Sequence, residues 1–358
     1  MAEKSHIEWT DATWNPITGC SVVKRGCKNC YAMKLAGGRL KNIPSRKGLT
    51  QPSKNGPVWT GEVRFNEQWL DQPLRWKKPR RIFVCAHGDL FHENVPDEWI
   101  DQVFAVMSSC PQHTFQILTK RPRRMYKYMM SQGREFLIGH EMGKIYYERF
   151  DGNRVPKSLE EARKNPDQLG WPLSNVWLGV SVEDQETANE RIPYLLDTPA
   201  AVRWTSAEPL LDELDLENLD LNAFMAADAV PRAYTDYHRI HLDALRGNIK
   251  PVDHESLSGL DWVVVGGESG PGWRPFNPDW ARKLRDQCAS AGVAFFMKQM
   301  GGKADIPEDL QVRDWPFAAQ YWGDYSDEVT EEHIKAIREA TGNVHPDDPR
   351  VTYISKGW

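Results

Sequence analysis

The sequence predicts an α/β chain built as a (β/α)8-type parallel barrel, full or partial, and three observations carry that reading. Short continuous apolar runs recur along the chain, and most are followed promptly by a segment of helical periodicity. Such alternation belongs to a parallel sheet whose outer face is covered. Eight runs can be counted, the number a closed barrel needs, and polar or charged residues stand directly after nearly every one. Barrels of this kind gather their reactive groups at those strand ends. An open doubly wound sheet is the alternative, because the run at Val63-Arg64-Phe65 is faint.

Taken in order, an apolar run up to Thr18 ends in a cysteine loop, and Tyr31 to Leu40 follows with helical spacing. Asn42 to Pro57, rich in Lys, Ser, Gly and Pro, reads as an exposed loop. After the faint run, Glu67 to Trp76 places Trp69, Leu70 and Leu74 at helical spacing. Arg81 to Ala86 is a buried strand, and Asp97 to Ser108 a helix whose apolar face is Ile100, Val103, Phe104 and Met107. Thr114 to Thr119 is the next strand, with a basic helix from Arg123 to Met130 after it. Val176 to Val182, Ala201 to Ser206, Trp262 to Ser269 and Ala294 to Gln299 complete the strands, with helices at Gln185 to Leu196 and Pro278 to Ala291. Two stretches, about 131–172 and 212–260, lose the rhythm and read as insertions. The expected organisation is therefore a barrel domain over 1–300 and a polar C-terminal extension, 301–358, packing on it.

Composition sets bounds. A chain of 358 residues with 40% hydrophobic and 27% charged residues suits a globular core. Net charge is −5 and the pI about 6.1, so no global basic field exists to gather nucleic acid. No run approaches the roughly 20 apolar residues of a membrane span, and Met1 to His6 lacks a signal-peptide core. Half of the six cysteines fall within eleven residues, an arrangement that argues for a reducing cytoplasm rather than a disulfide framework.

Cys20, Cys27 and Cys30 form a C-x6-C-x2-C loop, with a glycine before two of the three. Three thiolates on one loop suit a four-iron cluster with one open iron, or a zinc site completed from elsewhere. Buried structural cysteines are the plainer reading. The other strand ends bring Asp89, His92 and Glu93; Thr119, Lys120 and Arg121; Ser181, Glu183 and Asp184; Ser206 and Glu208; Gly266, Gly267, Glu268 and Ser269; and Lys298 with Gln299. Each alone is usually a solvated loop residue, whereas the set describes a lined mouth. Lys298 follows an apolar strand, where burial depresses a lysine pKa, although a salt bridge is the commoner use. Arg121 to Arg124 with Tyr126 and Tyr128 is a basic-aromatic cluster suited to phosphate, or else a solvated helix face.

Cys27-Lys28-Asn29-Cys30-Tyr31-Ala32, a cysteine loop after the first barrel strand, resembles radical S-adenosylmethionine enzymes. More closely, the chain resembles a phage- and prophage-encoded three-cysteine family of unknown function. That likeness rests on Thr13 to Cys20, Asp89-Leu90-Phe91-His92-Glu93, Trp177 to Glu183, Ser206-Ala207-Glu208-Pro209-Leu210, Val265 to Gly270 and Lys298-Gln299. The wider resemblance implies a [4Fe-4S] cluster on Cys20, Cys27 and Cys30, with S-adenosyl-L-methionine chelating the open iron. Reductive cleavage would then give a 5′-deoxyadenosyl radical, with a donor such as flavodoxin or ferredoxin supplying the electron. The first cysteine gap is longer here than in those enzymes, and Gly266-Gly267-Glu268 follows a late strand rather than the second.

The expectation is thus a cytoplasmic radical enzyme acting on an unidentified substrate, nucleic acid or a nucleotide being one class, with no membrane partner. Glu208, Lys298 and Asp89 are its candidate catalytic residues; Glu183, Ser206, Gly266, Gly267, Glu268 and Gln299 its candidate cofactor-binding ones. Two alternatives stand beside it. One is a zinc-stabilised nucleic-acid-binding or phage accessory protein with the Arg121–Arg124 helix on phosphate. The other is a metal-dependent hydrolase using His87, Asp89 and His92.

Overall fold

Seven of the apolar runs pair into one sheet. The computed structural model describes residues 5, 7–150, 159–160, 170–221, 224, 241–250 and 257–316. The sheet comprises β1 (Ala12–Trp14), β2 (Arg81–Val84), β3 (Thr114–Thr119), β4 (Val176–Ser181), β5 (Val202–Ala207), β6 (Trp262–Gly266) and β7 (Ala294–Gln299). The strands lie side by side in chain order, every neighbouring pair parallel. Helices α1 (Tyr31–Gly37), α2 (Asp97–Ser108), α3 (Pro122–Met129), α4 (Arg134–Phe150), α5 (Gln185–Asp197) and α6 (Pro278–Ala291) occupy the connections. Several starts follow local chemistry: Asp184 and Thr187 close a reciprocal capping box on α5, and Asn277 caps α6 ahead of Pro278.

Because strand side chains alternate, the sheet has two distinct faces. One carries Ile82, Val84, Phe115, Ile117, Leu178, Val180, Val263, Val265, Phe295 and Met297 into the main core with the helices. The other gathers Phe83, Trp177, Trp204, Trp262, Val264 and Phe296, with Trp9 arriving just ahead of β1. The Trp9 ring lies 4.8 Å from Phe83 on β2 and 5.2 Å from Trp204 on β5. In a flat sheet β2 and β5 would be roughly 14 Å apart, three strand spacings. One indole reaches both only because the sheet curls, and the indoles fill its concave side.

The result is a partial barrel. An eighth parallel strand is absent among the described residues. The faint run contributes only Arg64–Phe65, which pairs antiparallel with Ile17–Thr18 outside the sheet. Glu62, Arg64 and Asn66 give it too much polarity for a site buried on both faces. Where β7 would meet β1, residues 312–314 run antiparallel along β7, with Met297 N–H donating to Val312 and Asp314 N–H to Phe295. Arg313 reaches Glu8 at 2.9 Å, and Trp315 stacks on Trp262. The start of the polar extension therefore packs on the sheet, and its remainder, 317–358, lies outside the described residues.

Three smaller expectations change. Glu67 to Trp76 is two 3-10 turns, Glu67–Trp69 and Pro73–Arg75, because Pro73 cannot continue a helix. The first insertion opens with α4, whose Ile138, Met142 and Ile145 are buried on one stripe. The second insertion includes a small antiparallel sheet, Leu219–Asp220 with His241–Asp243 and Asn248–Lys250. No helix among the described residues is long and apolar enough to cross a membrane.

Gly179 on β4 shows how closely the concave side is filled, since a Cβ there would lie 2.5 Å from the Trp204 indole. Gly179→Ala is expected to cost about 1–3 kcal/mol through overpacking, read as a lowered urea midpoint with an unchanged slope.

Candidate functional site

The chain leaves β1 beside the extension of β2. Gly19 N–H donates to the His87 carbonyl at 3.2 Å, and Gly19 and Gly88 form a parallel bridge. Gly19 has φ +100°, and the Glu62 carbonyl occupies the place a Cβ would take, so only glycine serves. Cys20 is thereby delivered to the carboxyl rim of the sheet. Its sulfur accepts from Arg121 Nη1 at 3.3 Å, and the same nitrogen donates to Asp89 Oδ2 at 3.1 Å. Asp89 also accepts from Phe91 N–H at 3.0 Å, Thr119 Oγ1 at 2.7 Å and Lys120 N–H at 3.1 Å.

Cys27 follows in a 3-10 turn, and Cys30 sits just ahead of α1. All six cysteines are free. Cys20 and Cys30 pack on one small apolar cluster, Ala32, Met33, Ala36, Leu49 and Trp59. Burial pushes the Cys20 thiol up to about 12; Arg121 opposes this, while Asp89 and Cys30 add to it. Burial raises Cys30 as well, with the Met33 and Ala32 amides and the Trp59 side chain opposing and Cys27 adding. Hydrogen-bond donors are thus already aimed at Cys20 and Cys30. Among the described residues, no set of three His, Cys, Asp or Glu side chains converges on a single-ion position.

The loop is fastened to further strand ends. A Cβ on Gly26 would overlap the Glu183 carboxylate. Glu183 is fully buried and accepts from Lys120 and, at 3.0 Å, from Arg191, while Lys120 also donates to Ser181 Oγ at 2.8 Å. Arg25 reaches Asp184 at 2.6 Å. Asn29 donates to Glu268 and to the Gly272 carbonyl, both at 2.9 Å. Lys34 ties Asn29 Oδ1 to the Pro271 carbonyl. Arg274 binds Glu268 through its backbone N–H and guanidinium, and it also donates to the Arg25 carbonyl. Burial alone would raise the Glu268 pKa, but the hydrogen bonds from Arg274 and Asn29 outweigh it and hold the carboxyl below its usual range. Glu268 is thus strapped to the cysteine loop.

Under this strap lies a second charged group. Lys298 Nζ donates to both Glu208 oxygens at 2.6 and 2.8 Å, and Gln299 bridges Glu208 to the Gly267 carbonyl. A Cβ added at Gly266 would only touch the Glu208 carboxyl, at an ordinary contact distance of 3.4 Å. Tyr31 donates its hydroxyl to the Ala86 carbonyl at 2.5 Å. Ser206 is buried on β5 opposite Ser181. The predicted residues therefore stand along one rim: Asp89 with Cys20, Glu183 with Lys120, Glu268 with Asn29, and Glu208 with Lys298 and Gln299. Two surface hollows, of about 560 and 340 Å³, lie away from this rim.

Two sequence expectations do not assemble. His87, Asp89 and His92 share no partner: His87 Nδ1 accepts from Arg46, and His92 Nε2 meets Ser21 Oγ at 2.5 Å. His92 Nδ1 accepts from Asn94 N–H, which places the neutral ring's proton on Nε2, so His92 is no base toward Ser21. Arg121 is buried rather than solvated, and Arg124 is held by Asp97. Sequence reasoning missed Asn29, Arg274, Gly26 and Arg46; no spacing marks such tertiary partners.

A family model described as "Protein of unknown function (DUF5131)" matches residues 4–346. Neither a curated protein nor a solved structure matches the chain.

The His87 environment has a measurable consequence. Burial first, then Arg46 and Arg39, lower its pKa from 6.5 to about 4. The unfolded chain takes up this proton at the higher pH, so stability declines as pH falls below about 6.5 and the loss levels off near 4. His87→Gln, which keeps an acceptor for Arg46, is expected to flatten the acid limb of stability against pH by one proton. His113, also lowered to about 4, retains its own share.

Proposed function

The chain belongs to the DUF5131 family, and within that family we propose that it is an iron–sulfur enzyme of the radical S-adenosylmethionine type. The observation that carries this reading is the placement of Cys20, the first thiol of a free three-cysteine loop, at the carboxyl rim of a curled parallel sheet. There it accepts a hydrogen bond from Arg121.

Three free thiols on one loop are the donors a four-iron cluster takes, each thiolate at a different iron with the fourth iron open; a single zinc ion would need its ligands converged on one point. With such a cluster bound, S-adenosyl-L-methionine at its open iron would supply the hydrogen-abstracting chemistry.

The chain's own residues have separate tasks in this reading. Cys20, Cys27 and Cys30 hold the metal centre. Arg121 stabilises the Cys20 thiolate by a charge-assisted hydrogen bond, and Asp89 positions Arg121. Glu183 seats Gly26, and Glu268 seats Asn29, which fixes the loop on both sides. Glu208, Lys298 and Gln299 offer a paired anion and cation to a polar substrate or the methionine group. The indoles beneath close the floor against water, which such chemistry requires.

Anaerobic purification followed by iron, sulfide and zinc analysis tests this. Equal iron and sulfide with broad visible absorbance is expected, and Cys20→Ala, Cys27→Ala and Cys30→Ala each remove it. Cys110→Ala, far from the rim in the apolar core, keeps it. Colourless protein with one zinc per chain would replace the proposal with a zinc-stabilised fold.

A further inference from the structure

Charge is distributed unevenly along this acidic chain. Residues 22–64 contain ten Lys and Arg and a single acidic residue, Glu62, although the whole chain is net −5. That segment folds as a lobe: α1 packs on the hairpin of Thr50–Ser53 and Gly56–Trp59, around Ala32, Met33, Ala36, Leu49 and Trp59. Cys20 and Cys30 pack against the same cluster, so the lobe directly adjoins the cysteine loop.

Several of these cations are uncommitted. Lys28, Arg39, Lys41, Lys47 and Lys54 are exposed and form no ion pair among the described residues. Lys54 stands at the hairpin turn and Lys28 between two of the cysteines. The basic cluster noticed first in the sequence behaves oppositely, since Arg121 and Arg124 are bound to Asp89, Glu93 and Asp97.

Two flat rings flank the cysteine loop. Tyr31 is 51% exposed, with its hydroxyl anchored on Ala86. Trp273 is 49% exposed and adjoins Gly272, whose carbonyl holds Asn29. One side of the Trp273 ring rests on Gly301 and Gly302, where added Cβ atoms would lie 3.2 and 2.6 Å from it. The ring is therefore seated on these glycines with about half its surface exposed. A half-exposed anchored ring beside unpaired cations is the pairing by which proteins hold single strands: cations follow phosphates and rings stack on unpaired bases.

We propose that the lobe over residues 22–64, with Tyr31 and Trp273, binds single-stranded nucleic acid and presents a base at the rim. The binding surface stands on charge and exposure alone; the strand's role as substrate rests on the enzyme reading above. A base in a duplex would be stacked and inaccessible to such a mouth, which favours the single strand.

Fluorescence anisotropy of the full-length chain with labelled single-stranded DNA, single-stranded RNA and duplex, over a salt series, tests this without any metal. Binding to one or both single strands, weakening with salt, is expected. Lys41→Glu/Lys47→Glu/Lys54→Glu should weaken it at least tenfold and reduce the log–log salt slope by roughly 2, given about 0.7 per phosphate contact. Trp273→Ala should weaken it several-fold with the slope unchanged. Equal affinity of the triple variant overturns the proposal, as does absence of binding at low salt. So does preference for poly-glutamate, which would mark a dock for an acidic protein. Loss of strand binding leaves the metal analysis standing, and colourless zinc protein leaves the strand-binding result standing.

Discussion

The Asp89 carboxylate is the joint on which the rim depends. A carboxylate buried this deeply is costly unless its lone pairs are filled, and four donors fill them: two backbone amides, the Thr119 hydroxyl and Arg121. Three of those donors belong to the end of β3 and the residues that follow it, while Asp89 itself follows β2. The carboxylate therefore locks two strand ends together. It also holds the Arg121 guanidinium in one orientation, with Nη1 shared between Asp89 and the Cys20 sulfur. Satisfying a buried acid thus also aims a donor at the Cys20 thiol.

A second constraint acts from below. A seven-stranded parallel sheet in sequential order leaves a gap between its edge strands, and curling narrows that gap only if the concave side is filled. Indoles suit this because each is large and rigid. Trp9, Trp177, Trp204 and Trp262 fill it, and Gly179 supplies the space that Trp204 needs. The remaining edge is covered by residues 312–315, with Arg313 on Glu8 and Arg81 over Trp315. Short antiparallel cover of this kind protects an edge without the crossover helix that an eighth parallel strand would require.

The sequence was most legible where one local pattern decides the outcome. Continuous apolar runs such as Trp262–Gly266 and Ala294–Gln299 became sheet strands, and the polar residues after them did reach one rim. Helices with clear stripes or caps, such as Asp97–Ser108 and Pro278–Ala291, matched in extent. Legibility failed where tertiary partners decide. Gly139 and Gly143 hid the stripe of α4, which α2 stabilises by packing. Arg121 looked like a surface cation because nothing local announces that Asp89 and Cys20 will surround it. Nothing local to Glu268 announces that Arg274, six residues onward, and Asn29, in a distant loop, will bind its carboxylate.

Charge segregation joins the two proposals physically. In the enzyme reading proposed above the three thiols lose their protons, and they stand beside a lobe dense in cations, where cationic surroundings favour thiolate over thiol. Burial works the other way, as the raised Cys20 and Cys30 pKa values show. The balance is local, because charges beyond about 8–10 Å are screened at ordinary ionic strength. Arg121, on the Cys20 sulfur, is the cation placed to tip it. Arg39, Lys41 and Lys47 lie between α1 and the hairpin and Lys54 at the hairpin turn, all exposed and paired with no carboxylate among the described residues. A fold that needed positive charge only to ionise its thiols would have no use for these four, and their exposure is what an outside polyanion would read.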